Sequence, residues 1–251
     1  ELGKTLLEVF TYHNERMKSY IGKKYTKSTY VKYNTTYHHL LDFIKHEFNT
    51  DDVLLLELNH GFIASFEHFL TIEKQMSVNT TNKYLSHLKK VVNLAIQNEW
   101  LLRNPFSNFK TKNEDVEIER LTENEISLIA NLGLTNPSHT RVRDIFVFCC
   151  FTGLSYIDIK NLKQNDITIG IKGANWIRKT RQKTGGSFRI KLFKITLDLL
   201  NKYRSDSQFA FPVSSNQNMN RLLKKIGLIA GLDKELKMHM ARHTFATYAL
   251  T

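Results

Sequence analysis

Lys237-Met238-His239-Met240-Ala241-Arg242-His243-Thr244-Phe245-Ala246-Thr247-Tyr248 is the stretch whose reading decides the rest. A histidine and an arginine three apart share one face of a helix, so His239 and Arg242 can converge on a single anion. A guanidinium fork matches the oxygens of a phosphate, and an imidazole beside it can hydrogen-bond or move a proton. His239 and His243 are also four apart, the spacing of two zinc ligands on a helix. The place after the first histidine holds Met240 instead of a glutamate, and no third ligand is signalled, so no metal is expected. In isolation the motif would read as a buried histidine beside a salt-bridged arginine. Tyr248 falls on the far side of the same helix from Arg242 and reads as core.

Working outward, the 251 residues suffice for two modest domains with separate cores. Apolar content of 41% is that of a globular chain. The 36 Lys and Arg against 24 Asp and Glu leave +12, which favours a polyanionic partner. Nucleic acid comes first, and an anionic membrane surface is the rival. No apolar run could span a bilayer and no signal peptide opens the chain, so no membrane partner and a cytoplasmic location are expected. Cys149 and Cys150 are adjacent, point apart on a helix, and read as small core residues in a reducing compartment. A start at Glu1 without methionine and a finish at Thr251 lead us to expect a fragment of something longer.

The first half has helical spacing throughout. Helices are predicted from Leu2 to about Met17, then from a cap at Thr26 or Ser28 to Ile44, and around Phe62 to Glu73. A fourth runs from Asn79 to about Trp100. Its Leu85, Leu88, Val92, Ala95 and Ile96 form a core stripe, and Lys83, His87 and Lys90 fall on the opposite side. A basic stripe opposite a core stripe suits a helix lying in a major groove, although a charge run is more often a solvated face. Residues 108–120 lack apolar periodicity and read as a linker between a helical domain, 1–107, and a second domain, 121–251.

The second half opens on a capping box, Thr122 with Glu125. Asn136-Pro137 reads as a turn, and Arg141 to Phe151 as a mostly buried helix ended at Gly153. Three β segments follow: Ile167–Ile171, Trp176–Lys183 and Ser187–Leu192, with Gly185-Gly186 between the last two. Alternation puts Arg181 on the same face as Lys183, while Lys179 and Lys191 read as solvated edge charges. Helices at Ile195–Tyr203 and Asn218–Ala230 lead back to the opening stretch.

The His239-x-x-Arg242 box with Arg242-His243-Thr244-Phe245-Ala246-Thr247, and Thr152-Gly153-Leu154-Ser155 followed by Asp158, resemble the two boxes of the tyrosine recombinases, the phage-integrase family. Lys183-Thr184-Gly185 is similar to that family's hairpin lysine. Ser28-x-Tyr30, Asn82-Lys83-Tyr84-Leu85 and Asn104-Pro105-Phe106 are similar to its helical DNA-binding domain. The resemblance implies a mainly α fold with a small antiparallel β-sheet, a helical core-binding domain and an α+β catalytic domain. It implies double-stranded DNA as substrate, a homotetramer on DNA, and no metal or nucleotide cofactor. A tyrosine would attack the scissile phosphate, Arg242 would clamp it, His239 would hydrogen-bond it or take the nucleophile's proton, and Lys183 would protonate the leaving 5′-oxygen. That tyrosine is expected beyond Thr251. Ser155 stands where the family has arginine, and a serine cannot neutralise a phosphate. Arg181 is the candidate to replace it, with Arg143, Arg178 and Arg189 as rivals. Two functions follow: a strand-exchanging recombinase, or a DNA-binding module with a degenerate active site and no cleavage.

Overall fold

A computed structural model of the protein describes residues 3–170, 173–180 and 186–248. The chain divides into two compact units, residues 1–116 and 117–251. It is mainly helical with one small antiparallel sheet, as the sequence implied.

The first unit is built from four helices, α1 (Leu6–Ser19), α2 (Lys27–Phe48), α3 (His60–His68) and α4 (Val78–Gln97). Thr26 caps α2 by accepting from Thr29 N–H, and Asn49 ends it in the left-handed conformation at φ 52°. The helix expected over residues 62–73 starts earlier and finishes differently, because its last turn, Phe69–Glu73, is π-helical. α4 stops at Gln97, where Glu99 turns to φ 59°. Leu6, Phe10, Leu40, Phe43, Phe66, Leu85 and Leu88 meet in one core. Residues 109–122 carry neither helix nor strand. Residues 112–114 are nevertheless fixed, because two asparagines of α4 hold their backbone: Asn82 Nδ2 donates to Lys112 O (3.0 Å) and Asn79 exchanges two bonds with Glu114 (2.9 and 3.0 Å).

The second unit is organised around α6 (Pro137–Thr152), which follows α5 (Glu123–Ala130). The capping box at Thr122 and Glu125 is present. Asn136-Pro137, expected as a turn, instead starts α6. Asn136 Oδ1 accepts from Ser138 N–H, and the proline sits at the first helical position, where its fixed φ fits and no N–H is needed. Residues 144–150 of α6 are buried without a break, so this helix runs through the core and not along its surface. The short α7 (Tyr156–Lys160) leads into β1 (Ile167–Ile169), β2 (Asn175–Thr180) and β3 (Ser187–Lys191). These pair in the order β1-β2-β3, with Ile177 opposite Ile190 and Arg178 opposite Arg189. Ile171 and the hairpin residues 181–185, among them Arg181 and Lys183, lie outside the described residues. Three helices complete the unit: α8 (Lys194–Lys202), α9 (Asn216–Ile229) and α10 (Met238–Tyr248). Cys149 and Cys150 are buried free thiols, and burial pushes both pKa values up. Among the described residues no helix is long and apolar enough to cross a membrane.

Candidate nucleic-acid interface

α10 carries the His-Arg box, and its own first turn is tied down from α9, where Asn220 Oδ1 accepts from Met238 N–H at 2.9 Å. Thr244, fully buried, accepts from Leu121 N–H at 3.1 Å and so fixes the start of the second unit to the middle of α10. α10 packs along α6. The contact is closest at Gly153, the residue that ends α6 at φ 63°. A Cβ there would stand 2.3 Å from the Phe245 ring. A glycine is required twice over, by its left-handed backbone and by the absence of space. The Thr152-Gly153-Leu154 segment and the Arg242–Thr247 segment, ninety residues apart in sequence, therefore meet face to face.

Beside that contact lies a cavity of about 610 Å³, walled by Thr152 and Gly153, by Phe188, Arg189 and Lys191 of β3, and by Arg242 and Phe245 of α10. Arg242 is half-buried in this wall, and the exposed Arg189 and Lys191 bring two further cations to it. His239 lies exposed on α10 with its ring edge-on to that of the half-buried His243, centroids 4.5 Å apart. Burial lowers the His243 pKa, and the neighbouring charges of His239 and Arg242 lower it further. Arg242 is thus the fixed cation of the N-terminal half of α10, with the imidazoles of His239 and His243 on the same stretch.

Ser155 is engaged elsewhere. It caps α7, accepting from Asp158 N–H, and its hydroxyl donates to Asp158 Oδ2 at 2.6 Å. Asp158 is buried, and its Oδ1 has no hydrogen-bond partner among the described residues. Of the arginines that could stand in for Ser155, Arg143 is already committed. Its Nε donates to Asp144 Oδ1 (2.8 Å) and a terminal nitrogen to Leu132 O (2.6 Å). Asp144, itself buried, also accepts from Lys202 Nζ and Tyr203 Oη, each at 2.7 Å. Burial alone would raise the Asp144 pKa, but Lys202, Tyr203 and Arg143 together hold it below the usual carboxylate value. Arg178 and Arg189 are exposed and paired across β2 and β3. Lys179, read as a solvated edge charge, turns inward instead, donating to Asn161 O and pairing with Asp166 (3.1 Å). The partly exposed Asp166 carboxylate and the Asn161 carbonyl recruit it.

The three candidates on α4 separate. Lys83 is exposed beside the strap of residues 111–116, in a cleft of about 520 Å³ that also takes in Asn79, Asn82 and Glu114. His87, expected on the side away from the core, is half-buried toward α2. Its ring stacks on Tyr33 at 4.1 Å and its Nδ1 lies 2.7 Å from Thr36 Oγ1. An imidazole is apolar enough on its faces to seal such a seam. Lys90 is exposed and lines a different cleft, together with Arg16 and Lys24. Those two cations escaped the sequence reading because they come from α1 and the turn after it, and no periodicity links residues 16, 24 and 90. Among the described residues no group of three or more His, Cys, Asp or Glu could hold a metal ion.

Comparison with known proteins bears on both units. Residues 5–112 match the phage integrase SAM-like domain, and residues 119–250 match the phage integrase family. The chain is 24% identical to the tyrosine recombinase XerC of Halalkalibacterium halodurans, over 91% of this chain and 80% of that protein. It is 26% identical to the XerC of Oceanobacillus iheyensis, over 72% of this chain and 65% of that protein. Its fold is similar to a lambda integrase dimer bound to a COC' core site (TM-score 0.77, 17% identity, 97% of this chain and 89% of the other). It is similar, too, to a lambda integrase tetramer bound to a Holliday junction (TM-score 0.78, 17% identity, 98% and 73%). The Tn1549 transposon integrase in complex with circular intermediate DNA is a third likeness (TM-score 0.71, 17% identity, 99% and 87%).

Proposed function

The chain belongs to the phage integrase family, and from that premise we propose that it cuts and rejoins DNA strands at specific sites through a 3′-phosphotyrosyl intermediate. Arg242 clamps the scissile phosphate. His239 hydrogen-bonds a non-bridging oxygen or takes the proton of the attacking tyrosine. The tyrosine oxygen bonds to phosphorus, the bond from phosphorus to the 5′-oxygen breaks, and Lys183 delivers a proton to that oxygen. Lysine has an unperturbed pKa of about 10.4, so this role needs the nearby cationic groups to lower it. Preorganised cations aimed at the developing charge supply most of the acceleration in such a site. Residues 108–120 join the DNA-gripping helical unit to the catalytic one. Lambda integrase has been seen as a dimer on a core site and as a tetramer on a Holliday junction, and we propose the same assembly here.

The observation that carries this reading is the closure of α6 on α10 at Gly153 and Phe245, which sets Arg242 in one cationic wall with Arg189 and Lys191. We propose Arg181 for the place vacated at Ser155, with Arg189, which lines the Arg242 cavity, as its rival. Arg143 is consumed by Asp144, and the buried, unpartnered Oδ1 of Asp158 is the kind of acceptor an incoming guanidinium would satisfy. The second reading, a binding module that no longer cleaves, draws on the same serine, which spends its hydroxyl on Asp158. Incubation of the whole protein with a nicked duplex separates them. A covalent protein–DNA adduct that disappears in Arg242→Ala is expected. Binding with no adduct at any nick position would leave only the second reading.

A further inference from the structure

Resting on the reading of this chain as a DNA-acting recombinase, we propose that Arg16, Lys24 and Lys90 form a clamp for one backbone phosphate of duplex DNA. Lys90 accordingly holds the duplex and does not read its bases. The three cations wall a cleft of about 390 Å³ between the end of α1, the turn that follows it and α4. Its lining adds the amides of Asn93 and Gln97 and contains no carboxylate.

No carboxylate of the described residues neutralises the cations, although Arg16 donates one hydrogen bond to Tyr12 Oη at 3.2 Å. Three other lysines of the same unit are paired, Lys4 with Glu8, Lys45 with Asp51 and Lys74 with Asp42. Among the described residues none of Arg16, Lys24 or Lys90 has a carboxylate within 4.0 Å. Three like charges around one unneutralised cleft repel each other, and an anion between them relieves that repulsion.

Aromatic rings hold them in place. The Lys90 ammonium stands over Tyr25 at 5.3 Å and Tyr33 at 5.4 Å, Lys24 over Tyr25 at 5.7 Å, and Arg16 over Tyr12 at 5.5 Å. A cation–π contact positions an ammonium without using its N–H donors, so all three of Lys90 remain for phosphate oxygens. Tyr33 costs little entropy to order because it is itself in the core, and Tyr25 is partly buried against it. The field is felt by His13 in the same wall. Burial lowers its pKa, Asn14 opposes this, and the Lys90 and Arg16 charges lower it further.

Position along α4 completes the argument. Lys83 lies seven residues earlier, about 10 Å up the helix axis at 1.5 Å per residue, and in another cleft. The N-terminal half of α4 carries the segment 112–114 on Asn79 and Asn82, and the C-terminal half presents Lys90 to the DNA backbone. Backbone contacts fix register without carrying sequence information.

The test is the salt dependence of binding by the full chain to two 30-base-pair duplexes, one rich in A·T and one in G·C. Arg16, Lys24 and Lys90 are all exposed, so the triple alanine variant keeps its fold. Loss of one phosphate contact lowers the slope of log K against log salt by about 0.9. Binding at low salt should weaken on the order of 10- to 100-fold, equally on both duplexes, given the strength of charge-assisted bonds. Lys45→Ala is the control, since its lysine sits near the far end of α2, about 27 Å from the start of that helix. An unchanged slope in the triple variant overturns the clamp. A loss confined to one duplex overturns it in favour of base reading. Absence of salt-dependent binding in the unaltered protein would overturn the underlying functional reading instead.

Discussion

Two helix seams carry the candidate chemistry, and they are closed by opposite means. α6 meets α10 through Gly153 and the ring of Phe245, a contact of glycine and hydrocarbon that no change of pH touches. α2 meets α4 through His87 stacked on Tyr33 and bonded to Thr36, with His13 on the other side of Tyr33 at 4.9 Å. The first seam positions Arg242, proposed to clamp a phosphate, and must hold its geometry. The second lies beneath lysines proposed to hold DNA, and its rings are titratable. Rigid apolar closure supports the one, and a half-buried polar closure supports the other.

The largest effect should separate chemistry from stability in the first seam. Arg242 is half-exposed and no ion pair holds it among the described residues. Arg242→Ala should lower the cleavage rate about 10²- to 10³-fold, as for loss of one preorganised donor. Stability should stay within about 0.5 kcal/mol. Rate and melting would be measured on the same sample, and equal melting with near-normal cleavage would remove Arg242 from the site. Gly153→Ala tests the opposite corner. Its Cβ meets Phe245 at 2.3 Å and its backbone is left-handed. Together these should cost about 3 kcal/mol in denaturant melts. Phe245→Ala in the same chain should recover part of that loss, since the two residues share one space.

Much of this was legible beforehand, and what was not has a physical cause. The capping box at Thr122, the Thr26 cap and the core stripe of α4 follow from local chemistry, and all three are present. Asn136-Pro137 misled because the same dipeptide serves a turn or a helix start, and only the bond to Ser138 N–H decides. Lys179 misled because alternation gives a face but not the Asp166 that waits there. Spacing puts His239 and Arg242 on one helix, but the structure sets the His239 ring against His243, and Arg242 alone of the two lines the cavity. That Arg242 shares a cavity with Arg189 and Lys191 was not readable, because it depends on how β3 docks beside α10. Arg16 and Lys24 were invisible for the same reason.

The second seam should fail first in acid. His87 has its pKa lowered from 6.5 to about 4, first by burial and then by Lys32 and Lys90. A histidine held neutral in the fold takes up its proton more readily when unfolded. Its contribution is therefore complete above about pH 6.5 and is lost as pH falls from there through 4. Discounted for a ring only half-buried, the loss is on the order of 2 kcal/mol. His13 and His39 shift in the same direction. In the second unit Asp144 is the most buried carboxylate with a lowered pKa, which keeps its ion pairs intact until pH falls below the ordinary carboxylate value of 3.8. His243 is shifted in the same direction as His87 but is far less enclosed. Thermal scans of the full chain should show one transition falling between pH 6.5 and 4 while the other holds. His87→Phe should flatten the first. If both transitions fall together, the contrast between the seams is wrong.

The smallest effect concerns what lies across the N-terminal half of α4. Asn82 is buried and holds Lys112 O and Asn113 Oδ1, at 3.0 and 2.9 Å, while Asn79 pairs with the Glu114 backbone. Side-chain amides that bond a backbone in this way act as a surrogate strand, and they fix a segment that has no secondary structure of its own. Asn82→Ala should cost about 1–2 kcal/mol, the penalty for leaving buried polar groups unpaired. Asn79→Ala, more exposed, should cost less. The informative readout is local. Amide exchange at residues 111–116 should accelerate in both variants, while exchange in α1 and α2 stays as it was. Acceleration spread across the whole unit would mean that the strap is part of the core and not something fastened onto it. The seam at Tyr33 and His87 would then depend on the strap as well, and its acid failure would shift in the Asn82 variant.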